Sequence, residues 1–184
     1  MYNITGGDKL LDVKVILSKA RIGEGMKVAD LGCGSTGHFV FPASLMVGDK
    51  GLVYAIDILR TVLETIDRRI KFENAKNIIT IWSNVEIFKA TKIESGSLDV
   101  ALLVNTLFQS HKRAEIIREA ARMVKKGGRL VIVDWKNVAL PFGPPAEERV
   151  NKEAIIKGAS RLGLEFEEEF FAGQYHFGLI LVKS

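Results

Sequence analysis

The chain has 184 residues, 47% of them hydrophobic, enough for one sizeable core and too few for a nucleotide domain plus a full second catalytic domain. Its net charge of +4 and pI near 9.2 permit an acidic partner such as RNA without requiring one. The single cysteine, Cys33, excludes an internal disulfide and a cysteine metal cluster, no apolar run reaches a membrane span, and the N-terminus lacks a signal peptide's apolar stretch, so a cytoplasmic protein with no metal and no membrane attachment is expected.

In chain order, Leu10, Val13 and Leu17 recur on one face of a helix spanning about Lys9 to Ala20, ended near "RIGEG". "MKVADLG" is the first strand, followed by a glycine turn, a helix over "HFVFPASLMVG" and a second strand, "LVYAID", ending on Asp57. "ILRTVLETIDRRIKFENA" is the next helix and "IITIW" the third strand. "SLDVALLV" is apolar over most of its length, as a parallel strand covered on both faces must be. A helix from about Lys112 to Val124, stopped by "KKGG", leads to a fifth strand, "GRLVIVDW". "KNVALPFGPP" reads as a loop, with Glu147 and Glu148 in the first turn of a helix running to about Leu162. "LEFEEEFF" and "YHFGLILV" are separated only by "AGQ", too short for a crossover helix, so they form a hairpin. The expectation is one doubly wound α/β domain over residues 1–184, with a short N-terminal helix and one antiparallel strand in a C-terminal hairpin.

In such a sheet, ligands sit at the carboxyl ends of the strands, beside the first strand-to-helix turn. That turn, "VADLGCGSTGHF", carries Gly32, Gly34 and Gly37 in the literal G-x-G-x-x-G spacing of a dinucleotide site. The residue before them is Asp30, however, and a carboxylate there repels a pyrophosphate and attracts an ammonium. At about 4 Å and intermediate dielectric the interaction is worth roughly 4 kcal/mol as an upper guide. S-adenosylmethionine, with an ammonium, a carboxylate and no phosphate, suits that sign. Asp57, about twenty positions beyond the turn, suits the ribose hydroxyls of either ligand. The competing reading makes both aspartates helix caps.

"VADLGCGSTGHF", "VYAID", "SLDVALLVNTLFQ" and "REAARMVKKGGRLVIVDW" together resemble the successive motifs of class I S-adenosylmethionine-dependent methyltransferases, nearest to the ubiquinone/menaquinone-biosynthesis group, over roughly residues 10–182. The resemblance implies a Rossmann-like seven-stranded sheet of order 3-2-1-4-5-7-6. It implies that Asp30, Gly32, Gly34 and Gly37 form the methionine side of the cofactor pocket, that Asp57 holds the ribose with Ile58 against adenine, that Asn84 and Val85 meet the adenine edge, and that Asn105 lies beside the methionine moiety. The chain departs from the family's D-x-G-x-G-x-G at Ser35-Thr36, which puts one extra residue before Gly37, and has Asn84 where an acid is common.

The residues specify the acceptor less well. "NTLF" after the fourth strand is not the N/D-P-P-F/Y of exocyclic amine methylation, no Pro-Cys nucleophile is present, and one cysteine is too few for arsenite chemistry. His111, on the substrate side of the fourth strand, Tyr175 and His176 are the candidate bases, Tyr175 and His176 reading more readily as strand-end residues, and His38 reads as a packing or cofactor-side residue. Trp135 and Phe142 either line an acceptor pocket or anchor the long loop. The expected activity is methyl transfer to a small molecule; alternatives are an RNA methyltransferase, a non-catalytic S-adenosylmethionine-binding protein, and a nicotinamide-dependent reductase.

Overall fold

The computed structural model describes residues 10–138 and 142–184, so the start of the first expected helix at Lys9 and positions 139–141 of the long loop lie outside the described residues. Seven strands, β1 (Lys27–Leu31), β2 (Leu52–Asp57), β3 (Ile78–Trp82), β4 (Leu98–Val104), β5 (Val124–Trp135), β6 (Leu164–Gly173) and β7 (His176–Lys183), form one sheet of order β3-β2-β1-β4-β5-β7-β6. All pairs from β3 to β5 are parallel; β7 runs antiparallel to both β5 and β6. The described helices are α1 (Val13–Lys19), α2 (Val40–Val47), α3 (Arg60–Glu73), α4 (Arg113–Met123) and α5 (Lys152–Ser160).

Because side chains alternate along a strand, each central strand feeds two cores. Val100 and Leu102 of β4 pack with Ile16 and Leu17 of α1, Val40 and Ala43 of α2, and Leu63 and Ile66 of α3. Ala101 and Leu103 pack with Ile116 and Ala120 of α4 and Ile155 of α5 on the other face. Both faces of β4 are thus sealed, and the apolar character of "LDVALLV" follows from that double burial.

Three boundaries differ from the sequence reading. α1 starts at Val13, because Asp12 caps it through Val15 N (3.0 Å) while Asp12 N donates to Ala172 O (3.1 Å), fixing Asp12 on β6. "KKGG" does not separate helix from strand. Val124 is already extended and paired with Leu98, and the register shifts before Val100 pairs with Arg129, so the glycines lie in an irregular stretch inside β5, with Gly127 at φ +75°. Glu147 and Glu148 belong to a separate 3-10 turn (Ala146–Glu148), and α5 is capped instead by Asn151, whose Oδ1 accepts from Ala154 N at 2.8 Å. Between the two, the buried Arg149 guanidinium donates to the carbonyls of Pro144, Lys136 and Val138 and so holds the ends of the loop after β5. Among the described residues no helix is long and apolar enough to cross a membrane.

Candidate functional site

The carboxyl ends of β1 to β5 share one edge of the sheet, and the chain leaves β1 there in a turn hooked onto its neighbour: Gly32 N and Cys33 N both donate to Ile56 O of β2 (2.8 and 3.0 Å). The three glycines of this turn have different reasons to be glycine. At Gly32 a Cβ would stand 2.8 Å from Thr106 Oγ1, whose hydroxyl donates to Leu31 O at 2.8 Å, so the missing side chain lets β4's extension cross over β1. At Gly34 (φ +63°) a Cβ would meet nothing within 4 Å, and the backbone faces open space. Gly37 (φ +57°) is buried, and a Cβ would stand 2.7 Å from the Phe41 ring and 2.8 Å from Ile66, so its role is to let α2 approach α3. The tip between them is held from α3 by Arg69, which donates to Thr36 O at 2.7 Å and stacks on Phe41.

A cleft of about 360 Å³ opens beside this turn and is lined by Gly32, Gly34, Asp57, Ile58, Asn84 and Val85 from the sequence-derived set. Asp30, Gly37 and Asn105 of that set lie outside its lining. A larger hollow of about 630 Å³ lies at the opposite ends of the strands, by Gly48, Leu52 and Asn77, away from these groups.

Asp57 links two elements: its Oδ2 accepts from Gly34 N (3.2 Å) and its Oδ1 from Leu59 N (3.0 Å). Asp30 is buried and caps no helix, since α2 does not begin until Val40. Burial, and after it the charge of Asp57, push the Asp30 carboxyl up to about 7. The same burial and the two carboxylates raise the Cys33 thiol far above its ordinary range, leaving it an inert small residue. Asn84 turns its Oδ1 back onto Glu86 N (2.9 Å), and Ile58 is half-exposed at the lip. Asn105 sits at φ +53°, with its backbone N–H on Val133 O and its side-chain Oδ1 buried without a hydrogen-bond partner.

The sequence did not single out the far wall. Thr106, Gln109 and Ser110, from a 3-10 turn (Leu107–Gln109) after β4, line the cleft together with Glu86. Ser110 Oγ donates to Glu86 Oε1 (2.7 Å), joining this turn to the segment after β3. No local pattern marks these residues; they are brought together by the β4 crossover.

Of the histidines, His111 is exposed outside the cleft lining, and His38 packs edge-on to Phe39. His176 is fully buried, tilted against Trp135 at 4.3 Å, and burial together with the Lys136 charge lowers its pKa to about 4, so it is neutral at pH 7. Phe142 stacks edge-on with Tyr175 and Trp135, and a Cβ on Gly143 would stand 2.7 Å from the Trp135 ring. These aromatic residues pack on one another and anchor the loop. Among the described residues no group of three or more His, Cys, Asp or Glu comes together as a metal site.

A family model described as a methyltransferase domain matches residues 22–169. Demethylmenaquinone methyltransferase of Lactococcus lactis is 32% identical over 131 residues, covering 71% of this chain and 50% of that protein. A probable cobalt-precorrin-6B C(15)-methyltransferase (decarboxylating) of Saccharolobus solfataricus is 38% identical over 117 residues, covering 63% and 56%. The chain thus spans about half the length of these curated relatives. Among solved structures, a SAM-dependent methyltransferase from Aquifex aeolicus superposes with a TM-score of 0.85 at 26% identity, over 96% of this chain and 92% of that one.

Proposed function

This chain belongs to the methyltransferase-domain family, within the class I S-adenosylmethionine-dependent methyltransferases, and from that premise we propose that it transfers a methyl group to a small-molecule acceptor at the cleft beside the β1 turn. The observation that carries the reading is Asp57 lining the cleft beside an open glycine turn, with the Asp30 carboxyl buried behind that turn: two acidic groups there suit an ammonium and a ribose and oppose a pyrophosphate. The nicotinamide reading of the bare glycine spacing falls with the family membership.

The residues fit the cofactor. The cleft is within the range of small-molecule sites, Gly34 leaves its backbone accessible, and Asn105 Oδ1 is a buried acceptor still lacking a donor. In this reading Asp30, Gly32, Gly34 and Asn105 serve the methionine end, Asp57 the ribose, and Ile58, Asn84 and Val85 the adenine, while Gly37 acts through packing. Bound there, the cofactor supplies an electrophilic methyl carbon on a sulfonium. The chain's contribution is alignment and exclusion of water, and a base is needed only for an acceptor that must lose a proton.

The names of the relatives, a demethylmenaquinone and a cobalt-precorrin methyltransferase, favour a small organic acceptor over RNA. We place the chain nearest to the quinone-biosynthesis group on its motif resemblance. The same reading takes residues 1–184 as one methyltransferase domain acting in the cytoplasm. The test is incubation with methyl-labelled cofactor and separate metabolite and RNA extracts. Labelled metabolite supports the proposal, labelled RNA overturns the acceptor class, and cofactor binding with no labelled product favours a non-catalytic role.

A further inference from the structure

Asp134, the penultimate residue of β5, is a fully buried carboxylate to which the cleft has so far given no task. Its Oδ1 accepts from Trp135 N at 2.8 Å and its Oδ2 from Phe108 N at 3.2 Å. Phe108 is the middle of the 3-10 turn that presents Thr106, Gln109 and Ser110 to the cleft. The carbonyls of that turn are held from the other side, with Arg113 Nε donating to Leu107 O (3.0 Å) and Ser110 O (2.9 Å). The far wall is therefore gripped at its N–H by a carboxylate on β5 and at its C=O by a guanidinium on α4.

Resting on the reading of the cleft as the cofactor site, we propose that Asp134 is a positioning residue whose ionised form holds the β4–α4 turn in its cofactor-binding arrangement. Both oxygens face backbone N–H groups, and a carboxylate is the form that accepts at full strength at both. An Asn turns an NH2 donor toward one of these N–H groups and a protonated Asp leaves it only a weakly accepting hydroxyl oxygen, so one buried N–H loses all or most of its bond. The longer contact, to Phe108, is the one released.

The group titrates where this matters. Burial pushes the Asp134 carboxyl up, the N–H groups of Trp135 and Phe108, the Arg113 charge and the Leu107 N–H pull it back, and it settles at about 6. Arg113, from α4, is the charge that bears on it. On β7, His176 lies opposite Trp135 and stays neutral. Lys136, next along the chain, directs its Nζ to the carbonyls of Gly173 and Gln174, and Arg149 directs its guanidinium to Pro144, Lys136 and Val138.

The chain has two tryptophans, so in Trp82→Phe the sole remaining one is Trp135, whose backbone N–H is bound by Asp134. Its emission in the ligand-free protein is expected to change with a midpoint near pH 6, and Trp82→Phe/Asp134→Asn is expected to be flat over pH 5–7. At pH 8, calorimetry with S-adenosylhomocysteine is expected to show about tenfold weaker binding by Asp134→Asn, with far-UV circular dichroism unchanged. A flat titration of Trp82→Phe, or wild-type affinity in Asp134→Asn, overturns the proposal. The titration needs no change at position 134 and decides the matter even if Asp134→Asn fails to fold. Absence of S-adenosylhomocysteine binding by the unmodified protein at pH 8 sinks the cofactor reading instead, and the emission titration still judges Asp134.

Discussion

Asp57 Oδ2 accepts the Gly34 N–H at 3.2 Å, so the carboxylate ending β2 is fastened to the glycine turn that follows β1. Its other oxygen takes the Leu59 N–H, and each oxygen keeps a further lone pair for a ligand hydroxyl. Asp57→Ala is expected to weaken S-adenosylhomocysteine by roughly 1.5–3 kcal/mol in calorimetry, the scale of charged hydrogen bonds, with the sheet intact by circular dichroism. Unchanged affinity would leave Asp57 as a turn residue only.

Asp30 gives a prediction in pH. A buried carboxyl raised to about 7 binds its proton more tightly in the folded chain than in the unfolded one. Its contribution to stability is therefore complete below the unfolded pKa and is lost as pH rises through about 7. An ammonium favours the ionised form, so S-adenosylhomocysteine affinity is expected to rise with pH up to about 7 through this group. Asp30→Asn should flatten that component, weaken S-adenosylhomocysteine and leave NAD binding the same or tighter. Tight NAD binding by the unmodified protein, tighter still in Asp30→Asn, would contradict the sign of the site.

The two later glycines of the turn are expected to fail in different assays. Gly37→Ala drives a methyl group into Phe41 and Ile66 at a positive φ, and a loss of about 1–3 kcal/mol in urea denaturation is expected from the overpacking. Gly34→Ala meets no protein atom, so its stability cost is limited to about 1–2 kcal/mol of left-handed backbone strain. Its larger effect is expected on cofactor affinity, by tenfold or more in calorimetry. The reverse ranking would exchange the roles assigned to them.

Glu119 and Arg122 form a buried pair at 2.8 Å, and together they clamp the connection between β3 and β4. Glu119 accepts from Lys89 N and Thr91 N, and Arg122 donates to Thr91 O and Ile93 O. Removing one partner strands the other charge, so Glu119→Ala is expected to cost about 3–5 kcal/mol by chemical denaturation. Burial raises the Glu119 carboxyl, but Arg122 and the two N–H groups outweigh it and hold it below the ordinary carboxylate range. The stability it contributes is present above the unfolded pKa and lost as pH falls through the lower folded value. Acid titration of the unfolding midpoint should show that loss in the parent protein and not in Glu119→Gln.

The strands were legible because their burial is written locally: "LDVALLV" is apolar on both faces, and "AGQ" leaves no length for anything but a hairpin. Asp30 and Asp57 were legible for a related reason, as acidic residues following apolar runs at the carboxyl ends of their strands. The register shift in β5 was hidden, since a glycine pair marks an irregular strand and a helix stop alike. Thr106, Glu86, Ser110 and Asp134 were hidden for a deeper reason. Phe108 and Asp134 are 26 residues apart and meet only after β4 and β5 have paired, so no window of the sequence contains the contact.

β7 lies between β5 and β6 in the sheet although it follows both in the chain. In chain order, therefore, β6 precedes β7, the strand it pairs with, and β5 gains its β7 neighbour only from residues 176–183. Asp134 and Trp135 pair with Phe177 and His176, so the end of β5 that carries the buried carboxylate is flanked by the start of β7. The glycine turn is hooked onto β2, an early strand, whereas β5, which grips the far wall, is flanked by β7 from the C-terminal hairpin. The two sides of the cleft thus rest on strands drawn from opposite parts of the chain.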